Sequence, residues 1–328
     1  MFDPTHSKLA TAWQHIPIAA AAAASFLLSC TAASKTDSET DNSFTQLRDS
    51  LYSIADEYPG EIGIAVITGN ADTVLVNNED KYPLMSVFKL HQAIGVCRQL
   101  EQNGTSLDSM VAINRADLNP DTWSPMLKDY ADTQINITVR NLLRYALQQS
   151  DNNASNYLFD NFRSVAGTDC LIATIIPRDD FRLTVTEAQM WNDHSLCYSN
   201  HSSPLGAAAL INRLYLDSIA GAENLNFMRT TLRECRTGAD RIAAPLQGKE
   251  GVTIGHKTGS GFRNEKGILT AHNDVAFITL PGGSHYSLSV LVKDFNGSEQ
   301  EAAAAIARIS ETVYSFIANG CRFPDKAQ

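Results

Sequence analysis

The sequence has little of what several large protein classes require. Its six cysteines form no Cys-x-x-Cys pair and show no metal-ligand spacing. Beyond the N-terminal region, no apolar run approaches the ~18 residues of a membrane-spanning helix. Positive charge is also scarce, because 26 Lys and Arg face 36 Asp and Glu, which gives a net charge of -10. Zinc modules, membrane-spanning proteins and nucleic-acid-binding proteins are therefore disfavoured, and neither a metal nor another cofactor is expected.

One apolar run does occur, from Ile16 to Leu28, and its length suits the apolar core of a secretory signal better than a bilayer span. The run leads into Leu27-Leu28-Ser29-Cys30, which resembles the lipobox of bacterial lipoproteins, where the cysteine becomes lipidated. Residues 31–43 are polar and rich in Ser, Thr and Asp, which predicts a flexible tether. We expect residues 1–30 to be the signal peptide of an exported, periplasmic protein, with lipidation of Cys30 left open.

The five remaining cysteines are Cys97, Cys170, Cys197, Cys235 and Cys321. An odd number leaves at least one unpaired, and buried free thiols are favoured for most of them. Their pairing stays open at this point. The expected oligomeric state is a monomer.

Strand patterns lie near both ends of the chain. Five strands are predicted, at residues 62–68, 73–77, 252–256, 274–280 and 286–293. Ser298 and Glu301 form a capping-box pattern, which predicts an Ala-rich helix ending near Ala318. The middle of the chain has helical periodicity instead, at about residues 85–102, 138–149, 153–162 and 204–216.

The two groups of strands must therefore come together with the helical region inserted between them. We predict an α+β fold in which an antiparallel five-stranded sheet is flanked by helices, built from residues 44–83 and 228–328. An inserted all-helical lobe, residues 84–227, would pack against this sheet and leave a cleft between the two lobes.

The stretch Ser86-Val87-Phe88-Lys89 opens the first of these helices. Residues three positions apart share a helix face, so the Lys89 amine can reach the Ser86 hydroxyl. A lysine whose pKa is lowered by burial could take the serine's proton, and the first turn of a helix favours a nearby oxyanion. Two fixed residues in four are weak evidence alone, because the pattern occurs by chance in most chains of this length.

The triplet Ser150-Asp151-Asn152 directly follows the helix predicted at 138–149. Such a triplet is an ordinary helix cap, and taken alone that interpretation is the better one. In the functional interpretation, the Ser150 hydroxyl relays a proton to a leaving nitrogen. The Asn152 amide would bind a substrate amide carbonyl and help to hold Lys89.

The stretch at 256–261, His-Lys-Thr-Gly-Ser-Gly, ends the strand that begins at residue 252. An ordinary exit from a strand into a turn would look similar. In the functional interpretation this is an edge strand, and the missing side chain at Gly259 lets a flat substrate lie against the backbone. Lys257, Thr258 and Ser260 would then bind a carboxylate, and the N–H groups of Ser260 and Ser86 would form an oxyanion hole.

In this order, Ser-x-x-Lys, Ser-Asp-Asn and Lys-Thr-Gly are far more specific together than any one of them. With these motifs the chain resembles class A serine β-lactamases, most closely the PER-like and CfxA-like branch, from about residue 45 to about 318. The resemblance implies a β-lactamase/transpeptidase-like fold and a β-lactam as the small-molecule substrate. Ser86 would be the nucleophile, activated either by Lys89 or by Glu187 through water.

The resemblance also implies that Glu187 is the base for deacylation. The alternative is an ordinary glutamate in a surface loop. Glu187 lies in a stretch that matches the omega loop of the family, whose glutamate activates the deacylating water. The stretch departs from the family at Val185 and Asn200, where an arginine and an aspartate usually form the closing ion pair. Trp191, followed by Asn192, replaces an asparagine that commonly helps to hold the water. The path of the loop and the second ligand of the water therefore stay open.

Two further residues complete the expected cleft. Trp123 lies where the family places an aromatic gatekeeper at the cleft mouth, although a core position fits it equally well. Arg241 matches a position from which some class A enzymes bind the substrate carboxylate with a guanidinium, the alternative being a solvated surface arginine.

The resemblance thus implies hydrolysis of the β-lactam amide through an acyl-enzyme. The hydroxyl of Ser260 is typical of family members that favour cephalosporins. The alternatives are a D,D-peptidase-like penicillin-binding protein and a covalent β-lactam sensor, each of which would be acylated without efficient turnover.

Overall fold

The structure is a computed structural model that describes residues 30–321, with side chains from residue 42 onward. The predicted signal peptide lies outside the described residues except for Cys30. Within the described residues, the chain divides into two units at the boundary between Asp41 and Asn42. Helix α1 covers Cys30–Asp56, so residues 31–43 are helical where the sequence predicts a flexible tether. Polar residues each cost a helix only about 0.5 kcal/mol relative to Ala, so composition alone argues weakly against a helix.

Strands and helices follow one another along the described chain in these positions. The strands are β1 Glu61–Thr68, β2 Thr73–Val76, β3 Tyr82–Pro83, β4 Met110–Asn114, β5 Gln134–Thr138, β6 Phe181–Arg182, β7 His201–Ser202, β8 Thr253–Ser260, β9 Leu269–Thr279 and β10 His285–Phe295. The helices after α1 are α2 Phe88–Asn103, α3 Pro125–Asp129, α4 Val139–Gln148, α5 Asn152–Asn161, α6 Val165–Ile172, α7 Glu187–Asn192, α8 Pro204–Leu216, α9 Ala222–Arg233 and α10 Glu299–Ala318. Among these described helices, none has the length and apolar character needed to cross a membrane.

The five long strands form one antiparallel sheet in the order β2-β1-β10-β9-β8. This confirms the predicted five-stranded sheet, and each strand overlaps the residues predicted for it. Strand β1, near the start of the sheet region, pairs with β10, so that Ile64 lies opposite Val290. Strand β8 lies at one edge and continues to Ser260. The Lys-Thr-Gly motif therefore lies within an edge strand and has one side free of a neighbouring strand.

Both faces of the sheet are buried, each against different helices. Along β9, Val275 and Phe277 belong to the core shared with the inserted helices. The alternate residues Ala276 and Ile278 belong to a second core, which contains residues of α1 and α10. Because side chains alternate across a strand, a sheet covered on both faces has both sets of side chains buried, and β9 is buried at every residue except Thr279.

The prediction that residues 84–227 form an all-helical lobe is wrong in one respect, because this part also contains the strands β4 to β7, which belong to two small sheets. One of these sheets pairs β4 with β5, and the other has the order β3-β7-β6. In the first, Ile113 lies opposite Ile135, and both are buried against the helices. A short alternating segment can therefore add a strand pair to a mainly helical lobe.

The five cysteines whose side chains are described are all free thiols. Cys97 and Cys197 are buried, Cys170 is exposed, and Cys235 and Cys321 lie between these extremes. The sequence predicts at least one unpaired cysteine among them, and in the structure all five are unpaired.

Candidate active site

The nucleophile candidate Ser86 lies in a single 3-10 turn, Met85–Val87, directly before α2. The sequence predicts one continuous helix here, and the turn differs because Met85 has a positive φ of 44°. That backbone conformation is uncommon for a residue with a side chain, and such conformations concentrate at functional sites. The turn presents the half-buried Ser86 to the cleft.

Strand β8 packs directly behind this turn at Gly259. A Cβ atom at Gly259 would lie 2.4 Å from the Leu84 carbonyl oxygen and 3.2 Å from the Met85 Cβ. The glycine is therefore needed for the strand to approach the turn that carries Ser86. This role differs from the predicted one, in which the missing side chain makes room for a substrate.

Lys89 is completely buried and is surrounded by oxygen atoms. Its Nζ lies 2.9 Å from Ser86 Oγ, 2.8 Å from the Ser150 carbonyl oxygen and 2.6 Å from Asn152 Oδ1. It also forms an ion pair of 2.9 Å with Glu187 Oε1. Burial lowers the pKa of Lys89, while the neighbouring Glu187 carboxylate opposes that shift. The predicted contacts of Lys89 with Ser86 and Asn152 are both present.

Glu187 is the first residue of α7, and its side chain is only 9% exposed. Ser86 Oγ donates a hydrogen bond of 2.9 Å to Glu187 Oε1. The helix is fixed by a capping box between Thr186 and Gln189, which satisfies backbone N–H groups at its start. The carboxylate therefore points into the cleft and lies within one hydrogen bond of the candidate nucleophile.

The loop that carries Glu187 is closed by the completely buried side chain of Asn200. Its Oδ1 accepts hydrogen bonds from the backbone N–H groups of Thr184, at 2.7 Å, and Val185, at 3.1 Å. Its Nδ2 donates to the Val185 carbonyl at 2.8 Å. These three bonds connect the two ends of the loop where the usual ion pair is missing. A neutral amide satisfied in this way avoids the cost of burying a charged pair.

Ser150 links α4 to α5 and has a left-handed backbone with a φ of 60°. Lys257 Nζ donates a hydrogen bond of 3.0 Å to Ser150 Oγ. The carboxylate of the next residue, Asp151, caps α5 by accepting a bond of 2.8 Å from the Ala154 N–H. The triplet therefore caps a helix, as the first interpretation predicts, and Ser150 and Asn152 also line the cleft, where the functional interpretation requires them.

Lys257 is completely buried on the edge strand. Besides Ser150, its Nζ bonds the carbonyl oxygen of Thr258 at 2.9 Å. Burial, followed by the positive charge of Lys89, lowers the pKa of Lys257 to about 7. The amine therefore lies in a range where a nearby anion can decide its protonation state.

Thr258, Ser260 and Arg241 form the far end of the cleft. Thr258 Oγ1 lies 2.6 Å from Thr237 Oγ1. Arg241 is only 6% exposed, so it is not the solvated surface arginine that the sequence left as an alternative. Its Nη2 donates a hydrogen bond of 2.6 Å to Ser260 Oγ, and its Nη1 donates one of 2.7 Å to the Asn273 carbonyl oxygen. The guanidinium thus holds the end of the edge strand while still lining the cavity.

Aromatic side chains border the mouth of the cleft. Trp123 is 55% exposed and lines the cavity, so the alternative core position is wrong. Trp191 is 45% exposed on the opposite side and meets the ring of His194 edge-on. His194 stacks on Phe262 at 3.9 Å between ring centroids. Sequence reasoning missed His194 and Phe262, because they belong to separate loops whose approach no local pattern indicates.

A single cavity of about 590 Å³ connects these groups. Eight of the predicted site residues line it: Ser86, Trp123, Ser150, Asn152, Glu187, Arg241, Thr258 and Ser260. The other three, Lys89, Lys257 and Gly259, lie directly behind this surface in contact with residues that line it. The arrangement offers a hydroxyl nucleophile, two groups that can accept its proton, and a cationic end for an anionic substrate.

Known proteins resemble this chain over most of its length. Residues 46–317 match a family described as the Beta-lactamase enzyme family. A β-lactamase of Phocaeicola vulgatus is 55% identical over 271 residues, covering 83% of this chain and 84% of that protein. The extended-spectrum β-lactamase PER-1 of Pseudomonas aeruginosa is 31% identical over 280 residues, covering 85% and 89%. A solved class A β-lactamase of Bacteroides cellulosilyticus has a TM-score of 0.79 at 29% identity, covering 84% of this chain and 99% of that one.

Proposed function

The chain belongs to the class A serine β-lactamases, and we propose that it hydrolyses its substrate through an acyl-enzyme on Ser86 that Glu187 helps to deacylate. The observation that carries this proposal is the position of Ser86 Oγ. It lies 2.9 Å from Lys89 Nζ and 2.9 Å from Glu187 Oε1, at the wall of one cavity.

In the acylation step, Ser86 Oγ attacks the β-lactam carbonyl carbon. Its proton moves to Glu187 or to the neutral form of Lys89, since both groups are within hydrogen-bond distance. The backbone N–H groups of Ser86 and Ser260 stabilise the oxyanion. The ring nitrogen leaves with a proton from the Ser150 hydroxyl, and Ser150 takes a replacement proton from the Lys257 ammonium that is hydrogen-bonded to it. The proton taken from Ser86 passes to solvent and Lys257 regains one from solvent, so Glu187 is a carboxylate again before deacylation.

Deacylation follows from the change that acylation makes at Ser86. Once Oγ is part of an ester it has no proton, so it can no longer donate to Glu187 Oε1. The carboxylate then has a free acceptor position close to the ester carbonyl. A water molecule in that position would give its proton to Glu187 as its oxygen attacks the ester.

The cationic end of the cleft binds the substrate carboxylate. Lys257 and Arg241 supply positive charge, and Thr258 and Ser260 supply hydroxyl groups beside it. The overall net charge of -10 works against an anionic substrate. Two buried cations in a cavity of low dielectric outweigh this diffuse charge, because most of it lies in water and is screened. Asn152 binds the amide of the substrate side chain, with Trp123 at the cleft mouth.

We further propose that cephalosporins are preferred over penicillins, because of Ser260. Its Oγ accepts a bond from Arg241, which leaves the hydroxyl hydrogen free to donate to the substrate. The test is kcat/KM for a cephalosporin and a penicillin with the same acyl side chain. Ser260→Ala should reduce the preference, while Ser284→Ala, in the exposed turn between β9 and β10, should not. A wild-type enzyme with the higher kcat/KM for the penicillin would contradict the preference.

We also propose that the protein is exported to the periplasm and acts there as a monomer. The support for export is the apolar run from Ile16 to Leu28 followed by Cys30. Cell fractionation and mass spectrometry of the mature N-terminus test this, and a lipid on Cys30 would appear as added mass. Sedimentation of the purified protein tests the monomer.

The decisive experiment for the activity itself counts turnovers. A chromogenic cephalosporin added in large excess should be hydrolysed many times per protein molecule. A penicillin-binding protein or a covalent sensor would stop after about one equivalent of product, because its acyl-enzyme persists.

A further inference from the structure

A second group of reactive side chains lies behind the carboxylate-binding end of the cleft, and the proposed mechanism uses none of them. It consists of Cys235, His256 and Asp274. His256 is buried on β8, and its Nδ1 lies 2.9 Å from Asp274 Oδ1 on the neighbouring strand β9. Cys235 and His256 also interact closely enough that each shifts the pKa of the other. The order thiol, imidazole, carboxylate is one that activates a nucleophilic cysteine.

The charges around the cluster favour an ionised thiol. Burial alone would lower the pKa of His256, but Asp274 and Cys235 outweigh it and raise that pKa to about 10. Burial alone would raise the pKa of Cys235, but His256 and then Lys257 outweigh it and lower that pKa to about 7. Within residues 30–321 no group of His, Cys, Asp and Glu is arranged to hold a metal ion. The cluster is therefore suited to covalent chemistry at sulfur.

Cys235 is connected to the cleft through two hydroxyl groups. Its Sγ lies 3.4 Å from Thr237 Oγ1, which in turn lies 2.6 Å from Thr258 Oγ1. Cys235 is half-buried, and the three residues that follow it line the main cavity. The segment packs tightly there, because a Cβ at Gly238 would lie only 2.4 Å from Thr258 Cγ2. We therefore expect a group added to the sulfur to displace Thr237, which contacts it, and through Thr237 to disturb Thr258.

We propose that Cys235 is a covalent-modification site for soft electrophiles and small disulfides, and that its modification weakens the binding of the substrate carboxylate. The second part rests on the proposed role of Thr258. With a methanethiosulfonate, the Cys235 thiolate attacks the divalent sulfur of the S–S bond, the one that carries no oxygen, and forms a new S–S bond. The original S–S bond breaks, and the sulfinate leaves with its electron pair. His256 keeps its proton, so no further acid or base is needed.

The test is treatment of the whole folded protein with methyl methanethiosulfonate. Peptide mass spectrometry should find a methylthio group on Cys235. The KM for a chromogenic cephalosporin should rise by about tenfold, as expected for loss of one hydrogen bond to a charged group, with a smaller change in kcat. Dithiothreitol should remove the group and restore the KM.

Three variants separate this site from the two other thiols that are not buried, Cys170 and Cys321. Cys235→Ser keeps a small polar side chain, and its KM should not respond to the reagent. Cys170→Ser and Cys321→Ser each remove one of the other two thiols, and both should respond as the wild type does. Labelling of Cys170 without labelling of Cys235 would overturn the proposal, and so would a labelled Cys235 with an unchanged KM.

The role of Thr258 is tested independently with untreated protein. Thr258→Val should raise the KM without any reagent. If it does not, the carboxylate assignment fails on its own, whatever the result at Cys235. A protein that shows no turnover before treatment would contradict the proposed function instead.

Discussion

The two completely buried lysines of the cleft both contact Ser150, Lys89 at its carbonyl oxygen and Lys257 at its hydroxyl, but their other partners differ. The part of the cleft around Lys89 is the nucleophile end, and the part around Lys257 is the carboxylate-binding end. Lys89 forms an ion pair of 2.9 Å with Glu187 and has three further oxygen neighbours. Lys257 bonds only a hydroxyl and a carbonyl oxygen, and in the described part of the chain no carboxylate lies within ion-pair distance of it. A buried cation without a counter-ion is costly unless it loses its proton. The pKa of Lys257, lowered to about 7, is the expected consequence.

This difference assigns separate tasks to the two ends. At the nucleophile end, Lys89 already has the Glu187 carboxylate as its counter-ion before a substrate binds. The groups there are therefore held in position for the chemical steps. The opposite end gains its missing negative charge from the substrate carboxylate. Changes at the first end should therefore lower kcat, and changes at the second should mainly raise KM.

The largest effect is expected for Ser86→Ala, which removes the nucleophile. Hydrolysis of a chromogenic cephalosporin should fall by about 10⁴-fold or more, because no other hydroxyl lies between Lys89 and Glu187 in the described cleft. The fold should be retained, since Ser86 is half-buried and only one oxygen is removed. Thermal unfolding checks the fold, and near-normal turnover by this variant would refute the assignment of Ser86.

The next effect is expected for Glu187→Gln, which keeps the shape of the side chain but removes the base. Acylated protein should accumulate, and kcat should fall by about 10² to 10⁴-fold. Mass spectrometry of drug-treated protein should detect the persistent adduct. Glu265→Gln makes the same change at an exposed position and should behave as wild type. Rapid loss of the adduct in Glu187→Gln would assign deacylation to another group.

The two ends also differ in how far the sequence predicts them. Ser86 and Lys89 are one helical turn apart, so their contact follows from local spacing. Glu187 is distant in sequence, and only the family resemblance brought it to the same site. The positive φ angles of Met85 and Ser150 have no local signal, since both residues normally avoid that conformation. Tertiary contacts impose these angles.

The loop that carries Glu187 and the edge strand β8 likewise depend on contacts that the local sequence does not predict. The residues at Val185 and Asn200 already indicate in the sequence that the usual ion pair is missing. The hydrogen bonds of the Asn200 side-chain amide that replace it depend on backbone atoms across the loop. The clash that explains Gly259 involves Leu84, far away in sequence. Helix α9 was missed although Leu225, Met228 and Leu232 have helical spacing and are buried. A count of apolar positions would have found it.

A smaller effect is expected for Lys257→Met, which tests the second end. Methionine fills a similar volume but carries no charge, so the KM should rise by about 10 to 100-fold, with a smaller fall in kcat. Steady-state kinetics with a carboxylate-bearing cephalosporin measure both. Lys266→Met, at an exposed position, is the matched control. If kcat falls while KM stays the same, the amine serves Ser150 rather than the carboxylate.

The smallest effect concerns pH. Because the pKa of Lys257 is lowered to about 7 by burial and then by Lys89, the amine is a cation below that pH and becomes neutral above it. The substrate carboxylate stays ionised throughout, so only the attraction from the protein changes. The value of kcat/KM, which reports the free enzyme, should fall by up to about tenfold between about pH 6 and about pH 8.

The control must separate Lys257 from Cys235, whose pKa is also lowered to about 7. Ionisation of that thiol adds negative charge behind Thr258, so it too would weaken carboxylate binding as the pH rises. In Cys235→Ser, any decrease in kcat/KM with rising pH that persists is due to Lys257. The double variant Cys235→Ser/Lys257→Met should then show a kcat/KM that does not change with pH. A flat profile in Cys235→Ser alone would mean that Lys257 keeps its proton without a counter-ion. Both lysines would then be cations before substrate binds, and only the presence of a counter-ion beside Lys89 would distinguish them.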